Sequence, residues 1–199
     1  MLAIYIGSFN PITNAHLTIA KASLKYASKC IFVPVSDLYQ KASLNVNALD
    51  RLSMIQCAIQ NEPRFEVSDI EIKIAQDFNH QNKTLETLRF LKEKYQNELA
   101  FIIGADNLIN LKSWYRYQEL LSEFKVIVIS RDEYNVREII DGDLELKSFL
   151  KDAFILDDIH IDISSREVRE RLYKNQNVNG LIDANVIKYI EKNGLYRSK

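Results

Sequence analysis

Short apolar runs alternate with stretches of helical periodicity along this chain. Residues 2–6 and 30–34 are apolar almost throughout, which predicts two buried strands, the first of them followed by Gly7. Between them, from Asn14 onwards, apolar side chains recur every three or four residues, as on one face of a helix. A strand, a helix and a strand within about thirty residues predict one right-handed βαβ unit with parallel strands.

The same alternation continues to the end of the chain. Further extended segments are predicted at residues 65–67, 99–103, 125–129, 154–156 and 160–163. Helices are predicted from Asn47 onwards and at residues 84–95, 114–121, 165–174 and 183–192. In the helix after Asn47, Asp50 is expected in the first turn, and the inner face is expected to carry Leu49, Leu52, Ile55 and Ile59. Residues 132–152 are charged, and their pattern favours no element.

Alternating strands and helices predict an α/β fold, namely a Rossmann-like, open, mostly parallel sheet with helices on both faces and a small C-terminal helical part. The sequence contains no internal repeat and no linker-like stretch, so we expect a single domain over residues 1–199. Ligands of such sheets bind beyond the carboxyl ends of the strands, at a switch in strand order. We therefore expect the site near Gly7, Pro34, Gly104 and Ser130.

Composition and charge exclude several classes of protein. The 199 residues include 26 Lys and Arg against 27 Asp and Glu, so no general basic field would hold nucleic acid. No apolar run approaches the ~20 residues that span a bilayer. Two cysteines, Cys30 and Cys57, are too few for a disulfide framework and suit a reducing compartment. We expect a cytoplasmic globular protein without a nucleic-acid or membrane partner. The sequence does not decide whether the chain forms a homo-oligomer.

The loop after the first predicted strand carries the first candidate chemistry. It holds one glycine, so it is neither the dinucleotide-binding G-x-G-x-x-G nor a phosphate-cradling G-x-x-x-x-G-K-[ST] loop. Thr13 and His16 are three residues apart at a helix start, so they share one face. Together with backbone amides, a hydroxyl and an imidazole could donate hydrogen bonds to a phosphate. The alternative is a capped helix with a partly buried histidine.

Two further segments carry polar or aromatic groups suited to a nucleotide. After the strand at 99–103, Gly104 would let a ligand approach the strand end, and Asp106 could accept hydrogen bonds from ribose hydroxyls. Trp114 offers a flat apolar face on which a ring could stack. The alternative for this tryptophan is packing in the core. At residues 164–169, a serine that caps a helix and Arg169 one turn later would bind a polyphosphate through amides and a guanidinium. The alternative is a capped helix with a surface arginine.

Three blocks of the sequence resemble the nicotinate-nucleotide adenylyltransferase family of the nucleotidyltransferase superfamily. Residues 7–17, GSFNPITNAHL, resemble its [HT]-x-G-H loop. Residues 101–108, followed by Trp114, resemble its G-A-D-x-L…W segment, and residues 162–169 resemble I-S-S-T-x-I-R. The first block departs from the family where Asn10, Thr13 and Ala15 replace Asp, His and Gly, and Arg166 replaces Thr in the third.

Weaker matches extend the resemblance over nearly the whole chain. Residues 33–41, which end in Gln40 and Lys41, resemble V-P-x(5)-H-[KR], and residues 50–54 resemble the D-R-x-x-M helix that follows. Lys83 and Thr84 lie in a segment that resembles S-Y-T-x-x-T-L. Residues 186–196 resemble the V-x-x-Y-I…G-L-Y ending.

The resemblance implies an adenylyltransferase of NAD biosynthesis, which joins ATP to nicotinate mononucleotide and releases pyrophosphate, with nicotinamide mononucleotide as a further acceptor. It implies that His16 and Thr13 are catalytic and that Lys83, Thr84 and Trp114 bind the pyridine mononucleotide. The residues that it assigns to ATP are Gly7, Ser8, Phe9, His16, Lys41, Gly104, Asp106, Ser164, Ser165 and Arg169. It implies Mg²⁺ carried by ATP rather than by a metal site of the protein.

Two other functions stay open at this point. The first is pantetheine-phosphate adenylyltransferase, whose family also has threonine at the position of Thr13 but lacks the segment from Gly104 to Trp114. The second is a nucleotide-binding sensor without turnover, suggested by the departures at Asn10, Thr13 and Ala15. The sequence does not decide between nicotinate and nicotinamide, since Lys83 stands where tyrosine is usual.

Overall fold

The computed structural model describes residues 1–39, 46–130, 134–157, 159 and 163–197. The described strands are β1 Leu2–Gly7, β2 Lys29–Pro34, β3 Phe65–Val67, β4 Leu99–Gly104, β5 Lys125–Ile129 and β6 Phe154–Leu156. The described helices are α1 Asn14–Ser23, α2 Ala48–Ile59, α3 Ile70–Phe78, α4 Thr84–Tyr95, α5 Ala105–Ile109, α6 Tyr117–Glu123, α7 Val136–Asp141, α8 Leu144–Leu150, α9 Ser165–Tyr173 and α10 Ala184–Asn193, with a 3-10 turn at Leu111–Ser113.

The strands form one sheet in the order β3-β2-β1-β4-β5-β6. β4 pairs in parallel with β1, with Leu2 opposite Leu99, and β5 pairs in parallel with both β4 and β6. Because the chain moves outward from β1 in one direction and then returns to place β4 on its other side, the strand order switches between β1 and β4. The predicted Rossmann-like parallel sheet is confirmed, and α9 and α10 form the predicted C-terminal helical part.

Three predicted elements differ from the structure. The helix α3 was not predicted, because Ile70, Ile72 and Ile74 alternate with the period of a strand although they lie in a helix. The helix predicted from Trp114 begins only at Tyr117, because Trp114 is extended and Arg116 adopts a left-handed conformation before it. Residues 132–152, for which the sequence pattern favoured no element, contain α7 and α8. The strand predicted at 160–163 lies almost wholly outside the described residues.

The inner face of α2 also differs from its prediction. Asn47 caps the helix by accepting a hydrogen bond from the backbone N–H of Asp50, as expected. Leu49, however, is 55% exposed, whereas Arg51 is fully buried. Ile55 and Ile59 are buried as predicted, so the helix presents aliphatic side chains and one guanidinium to the interior.

The chain divides into two compact units, each built from separate segments. The first unit comprises residues 1–6, 19–31 and 82–161, and its core includes β4 and β5. The second comprises residues 7–18, 32–81 and 162–199, and its core includes Phe9, Phe32 and the inner face of α2. A single domain over residues 1–199 stays a prediction.

No helix among the described residues combines the length and the apolar character needed to cross a membrane. The longest described helices, α2 and α4, have twelve residues each, against the roughly 20 that a bilayer requires.

Candidate active site

The loop between β1 and α1 is folded around the side chain of Phe9. Phe9 is buried with a positive φ of 44°, and its ring packs edge to face against His16 and Phe32, at centroid distances of 5.2 and 5.6 Å. A Cβ at Gly7 would lie 3.1 Å from Cζ of this ring. Glycine at position 7 therefore makes room for Phe9, and Phe9 in turn supports the imidazole of His16.

Thr13 and His16 form a hydrogen-bonded pair at the start of α1. The backbone N–H of Thr13 donates to Nδ1 of His16 at 3.0 Å, and the Thr13 hydroxyl oxygen lies 2.8 Å from the same atom. A backbone N–H can only donate, so Nδ1 is an acceptor and the neutral ring carries its proton on Nε2. The predicted shared face of these two residues is confirmed, and Nε2 of His16 is assigned as a hydrogen-bond donor.

The backbone amides at this helix start are used within the protein. The N–H of Thr13 is bonded to His16, and the N–H of Asn14 donates to the carbonyl of Leu181 at 2.8 Å. The Asn14 side chain donates to the carbonyl of Gly180, also at 2.8 Å. The expectation that amides at this start would bind an anion therefore does not hold for these two amides.

The start of α9 is tied to the same loop. Ser164 caps the helix by accepting from the N–H of Glu167, while the Ser165 hydroxyl donates to the carbonyl of Pro11 at 2.8 Å. Nη1 of Arg169, one turn further on, donates to the carbonyl of Asn10 at 2.7 Å. Of the two serines considered as caps, Ser164 is the cap.

Arg51 holds the loops at this end of the sheet, a role that the sequence analysis missed. Its guanidinium donates to the carbonyls of Ser8 at 2.8 Å, Val35 at 2.7 Å and Val46 at 3.2 Å. It also forms an ion pair with Asp37 at 3.2 Å. Burial lowers the pKa of Arg51, and the hydrogen bond that its guanidinium donates to Asp37 opposes that shift. The available signal was an arginine on the inward face of an amphipathic helix, one turn before Ile55.

The remaining candidate residues lie in the first unit. Gly104 ends β4 and caps α5, and Asp106 is exposed in the first turn of that helix. Trp114 is half-buried directly after the 3-10 turn. Lys83 is exposed at the cap position of α4, where its N–H donates to the carboxylate of Glu86 at 2.8 Å, and Thr84 is the first residue of α4.

Asn82, next to these residues, was not singled out from the sequence. Its side chain is only 7% exposed. Within the part of the chain that the structure describes, neither Nδ2 nor Oδ1 of Asn82 has a hydrogen-bond partner. A buried amide without partners costs about 1–3 kcal/mol, so this side chain is a candidate for contact with a ligand.

The structure thus places the predicted site residues in two groups. The second unit holds Gly7, Ser8, Phe9, Thr13, His16, Ser164, Ser165 and Arg169, and its hydrogen bonds bring α1, α9 and the loop of residues 8–13 together. The first unit holds Lys83, Thr84, Gly104, Asp106 and Trp114. Lys41 lies outside the described residues. The roles of these side chains stay predictions.

Comparison with known proteins decides the family. The family model described as cytidylyltransferase-like matches residues 4–171. A curated protein of Caldicellulosiruptor bescii, "Probable nicotinate-nucleotide adenylyltransferase", is 32% identical over 98% of both chains, and one of the same name from Clostridium tetani is also 32% identical over 98% of both. The chain belongs to the cytidylyltransferase-like family and, within it, to the nicotinate-nucleotide adenylyltransferases. The family suggested by the sequence motifs is confirmed.

Solved structures support the fold of this adenylyltransferase family member. The nicotinic acid mononucleotide adenylyltransferase of Plasmodium falciparum, solved in complex with NaAD, aligns with a TM-score of 0.77 over 98% of this chain and 96% of that one, at 24% identity. The same enzyme complexed with APC aligns with a TM-score of 0.75 over the same shares. The backbone arrangement is therefore that of known adenylyltransferases.

Proposed function

We propose that this chain transfers the adenylyl group of ATP to nicotinate mononucleotide, which yields the dinucleotide and pyrophosphate in a step of NAD biosynthesis. It is a nucleotidyltransferase, and its substrates are nucleotides. The observation that carries the proposal is the Thr13–His16 pair, held on the loop to which Arg169 is hydrogen-bonded. Such a cluster of donors suits a polyphosphate.

The reaction requires no protein nucleophile. An oxygen of the mononucleotide's 5′-phosphate attacks the α-phosphorus of ATP, a P–O bond forms, and the bond from the α-phosphorus to the bridging oxygen of pyrophosphate breaks. The attacking oxygen is already anionic at neutral pH, so the protein contributes alignment and stabilisation of the charge that develops.

His16 and Thr13 are assigned to the α-phosphate. With Nδ1 accepting from Thr13, Nε2 of His16 presents an N–H whose direction is set before any ligand binds. A donor held in this way is worth most in the transition state, because no reorganisation is needed at the moment of reaction. Arg169, with Ser164 and Ser165 at the start of α9 and Lys41, is assigned to the β- and γ-phosphates.

The first unit is assigned to sugar and pyridine recognition. Asp106, exposed in the first turn of α5, can accept hydrogen bonds from ribose hydroxyls. Trp114 offers a partly exposed ring for stacking on the pyridine. Lys83 and Thr84 lie at the N-terminus of the twelve-residue helix α4, whose dipole favours a carboxylate. This last feature favours nicotinate over the neutral nicotinamide.

Mg²⁺ is proposed to enter as part of the substrate, MgATP. Phosphate oxygens are the hard ligands that Mg²⁺ prefers, and the ion usually keeps several waters. Bound to the triphosphate, it would neutralise charge on the leaving pyrophosphate, while the chain's own cations hold the phosphate oxygens.

The test is pyrophosphate release from MgATP with three acceptors in parallel. We expect release with nicotinate mononucleotide, weaker release with nicotinamide mononucleotide and none with phosphopantetheine. Turnover with phosphopantetheine alone would replace the proposal with the pantetheine-phosphate reaction. Tight ATP binding without release for any acceptor would identify a nucleotide sensor instead.

A further inference from the structure

A hydroxyl near the end of the chain is bonded inside the β1–α1 loop. The Tyr196 hydroxyl donates to Oδ1 of Asn10 at 2.5 Å. Tyr196 is 4% and Asn10 is 2% exposed, so this bond is shielded from water. A hydrogen bond between two buried groups holds both in place, because breaking it would take from the buried hydroxyl the acceptor that Oδ1 supplies.

The same asparagine also holds Arg169. While its side chain accepts from Tyr196, its main-chain carbonyl accepts from Nη1 of Arg169 at 2.7 Å. One residue therefore links the hydroxyl of Tyr196 to a guanidinium assigned to the phosphates of ATP. A shift of Asn10 would move the acceptor that directs Arg169.

The backbone conformation after α10 places the ring of Tyr196 beside Asn10. α10 is capped after Asn193 by Gly194, which has a positive φ of 62°, and the N–H of Leu195 closes the turn on the carbonyl of Ile190 at 3.1 Å. Tyr196 itself has a φ of 55°, a conformation uncommon for a residue with a side chain. α10 is in turn packed against α2, the helix that carries Arg51.

The hydroxyl of Tyr196 stays protonated and remains a donor. Burial raises its pKa above the ordinary value, while the neighbouring charges of Arg169 and Arg51 oppose this shift and are outweighed. The hydroxyl that donates to Asn10 therefore also lies within the electrostatic influence of Arg169 and Arg51.

We propose that Tyr196 is a positioning residue for ATP, which acts through Asn10 to hold the guanidinium of Arg169 in its binding orientation. The inference rests on the proposed function, since it takes the role of Arg169 from there. It implies that the tail contributes to affinity for the triphosphate without touching it, and that removal of one hydroxyl weakens ATP binding more than acceptor binding.

The experiment compares Tyr196→Phe with Tyr189→Phe by calorimetric titration with MgATP and, separately, with nicotinate mononucleotide. Tyr189 is a matched control, because its hydroxyl also makes a partly buried hydrogen bond in this unit, donated to Asp50 at 2.8 Å rather than to Asn10. We expect Tyr196→Phe to raise the Kd for ATP about fivefold, the effect of one lost hydrogen bond, and to leave the Kd for the mononucleotide within about twofold. Tyr189→Phe should change neither.

A second pair of variants tests the route through Arg169. Asn10→Ala removes the side-chain amide that accepts from Tyr196 but keeps the main-chain carbonyl that accepts from Arg169, so it should reproduce the selective loss of ATP affinity. In an Arg169→Met background, adding Tyr196→Phe should produce no further rise in the Kd for ATP, because two changes on one route are not additive.

Equal weakening of both ligands by Tyr196→Phe, or a full additional fivefold loss in the Arg169→Met background, would overturn the inference and leave Tyr196 as a purely structural residue. If the wild-type chain bound no ATP at all, the proposed function would fail, and the inference with it. If the wild type bound ATP and Tyr196→Phe bound it equally well, only the inference would fail.

Discussion

Two regions of the molecule differ in whether the protein itself already holds their polar side chains. On the loop of residues 8–13 and the adjoining helix starts, the side chains of His16, Arg169 and Arg51 are already held by hydrogen bonds to the protein's own backbone. Beside the start of α4, by contrast, Asn82 is buried with neither of its amide atoms bonded among the described residues. In the first region the protein itself supplies hydrogen-bond partners to these side chains. In the second, a ligand could supply the partners of the Asn82 amide.

The difference matches the chemistry proposed for each region. Charge that develops during phosphoryl transfer is stabilised best by donors that are oriented beforehand. Recognition of the acceptor, by contrast, depends on a difference in affinity between similar molecules, and a buried amide without partners favours only a molecule that satisfies it. Substitutions in each region test whether the two regions differ in this way.

The largest effect is expected for His16→Ala. Loss of one preoriented donor to the α-phosphate should lower kcat by about 10²–10³, because catalysis loses a charge-stabilising hydrogen bond. The measurement is steady-state pyrophosphate release, with thermal unfolding to show that the fold is retained. His80→Ala, a change at an exposed histidine, is the control and should keep full activity. Wild-type turnover in His16→Ala would remove the catalytic assignment.

Arg51→Met should have the next largest effect, this time on stability. The substitution keeps the apolar stem but leaves the carbonyls of Ser8, Val35 and Val46 without their donor, so we expect the free energy of unfolding to fall by about 3 kcal/mol, roughly 1 kcal/mol for each bond. Urea titration measures this change. Arg64→Met, which removes an exposed arginine paired with Glu62, should leave the midpoint nearly unchanged. Equal midpoints for the two variants would show that the loop does not depend on Arg51.

The smallest effect is expected for Asn82→Leu, which should raise the stability of the protein but weaken binding of the acceptor. Replacement of a buried amide without partners by an aliphatic group of similar size should stabilise the ligand-free protein by about 1 kcal/mol. The KM for nicotinate mononucleotide should rise about fivefold, because the ligand loses the group that it satisfies. Asn97→Leu, at an exposed position of the same unit, controls for the change of residue type. A more stable variant with an unchanged KM would show that Asn82 is not part of the acceptor site.

Much of the fold and part of the site could be predicted from local sequence. β1, β2, β4 and β5 coincide with their apolar runs to within one residue, since buried parallel strands are apolar on both faces. The Thr13–His16 pair could also be predicted, because residues three apart at a helix start share a face. α3 could not, since isoleucines at every second position favour a strand, whereas the segment folds as a helix that buries Ile72 and Ile74.

Local sequence was enough to place most of the strands and helices, although not α3, α7 or α8, because periodicity and caps such as Asn47 act over a few residues. It also determined the family, since the motifs that identify it are contiguous. Only the tertiary structure decided which groups meet across long separations, such as Arg169 with Asn10, 159 positions apart, and Tyr196 with Asn10, 186 positions apart. It likewise decided that Arg51 turns inward while Leu49 stays exposed, because a buried guanidinium is stable only where the fold supplies carbonyls to accept its hydrogen bonds.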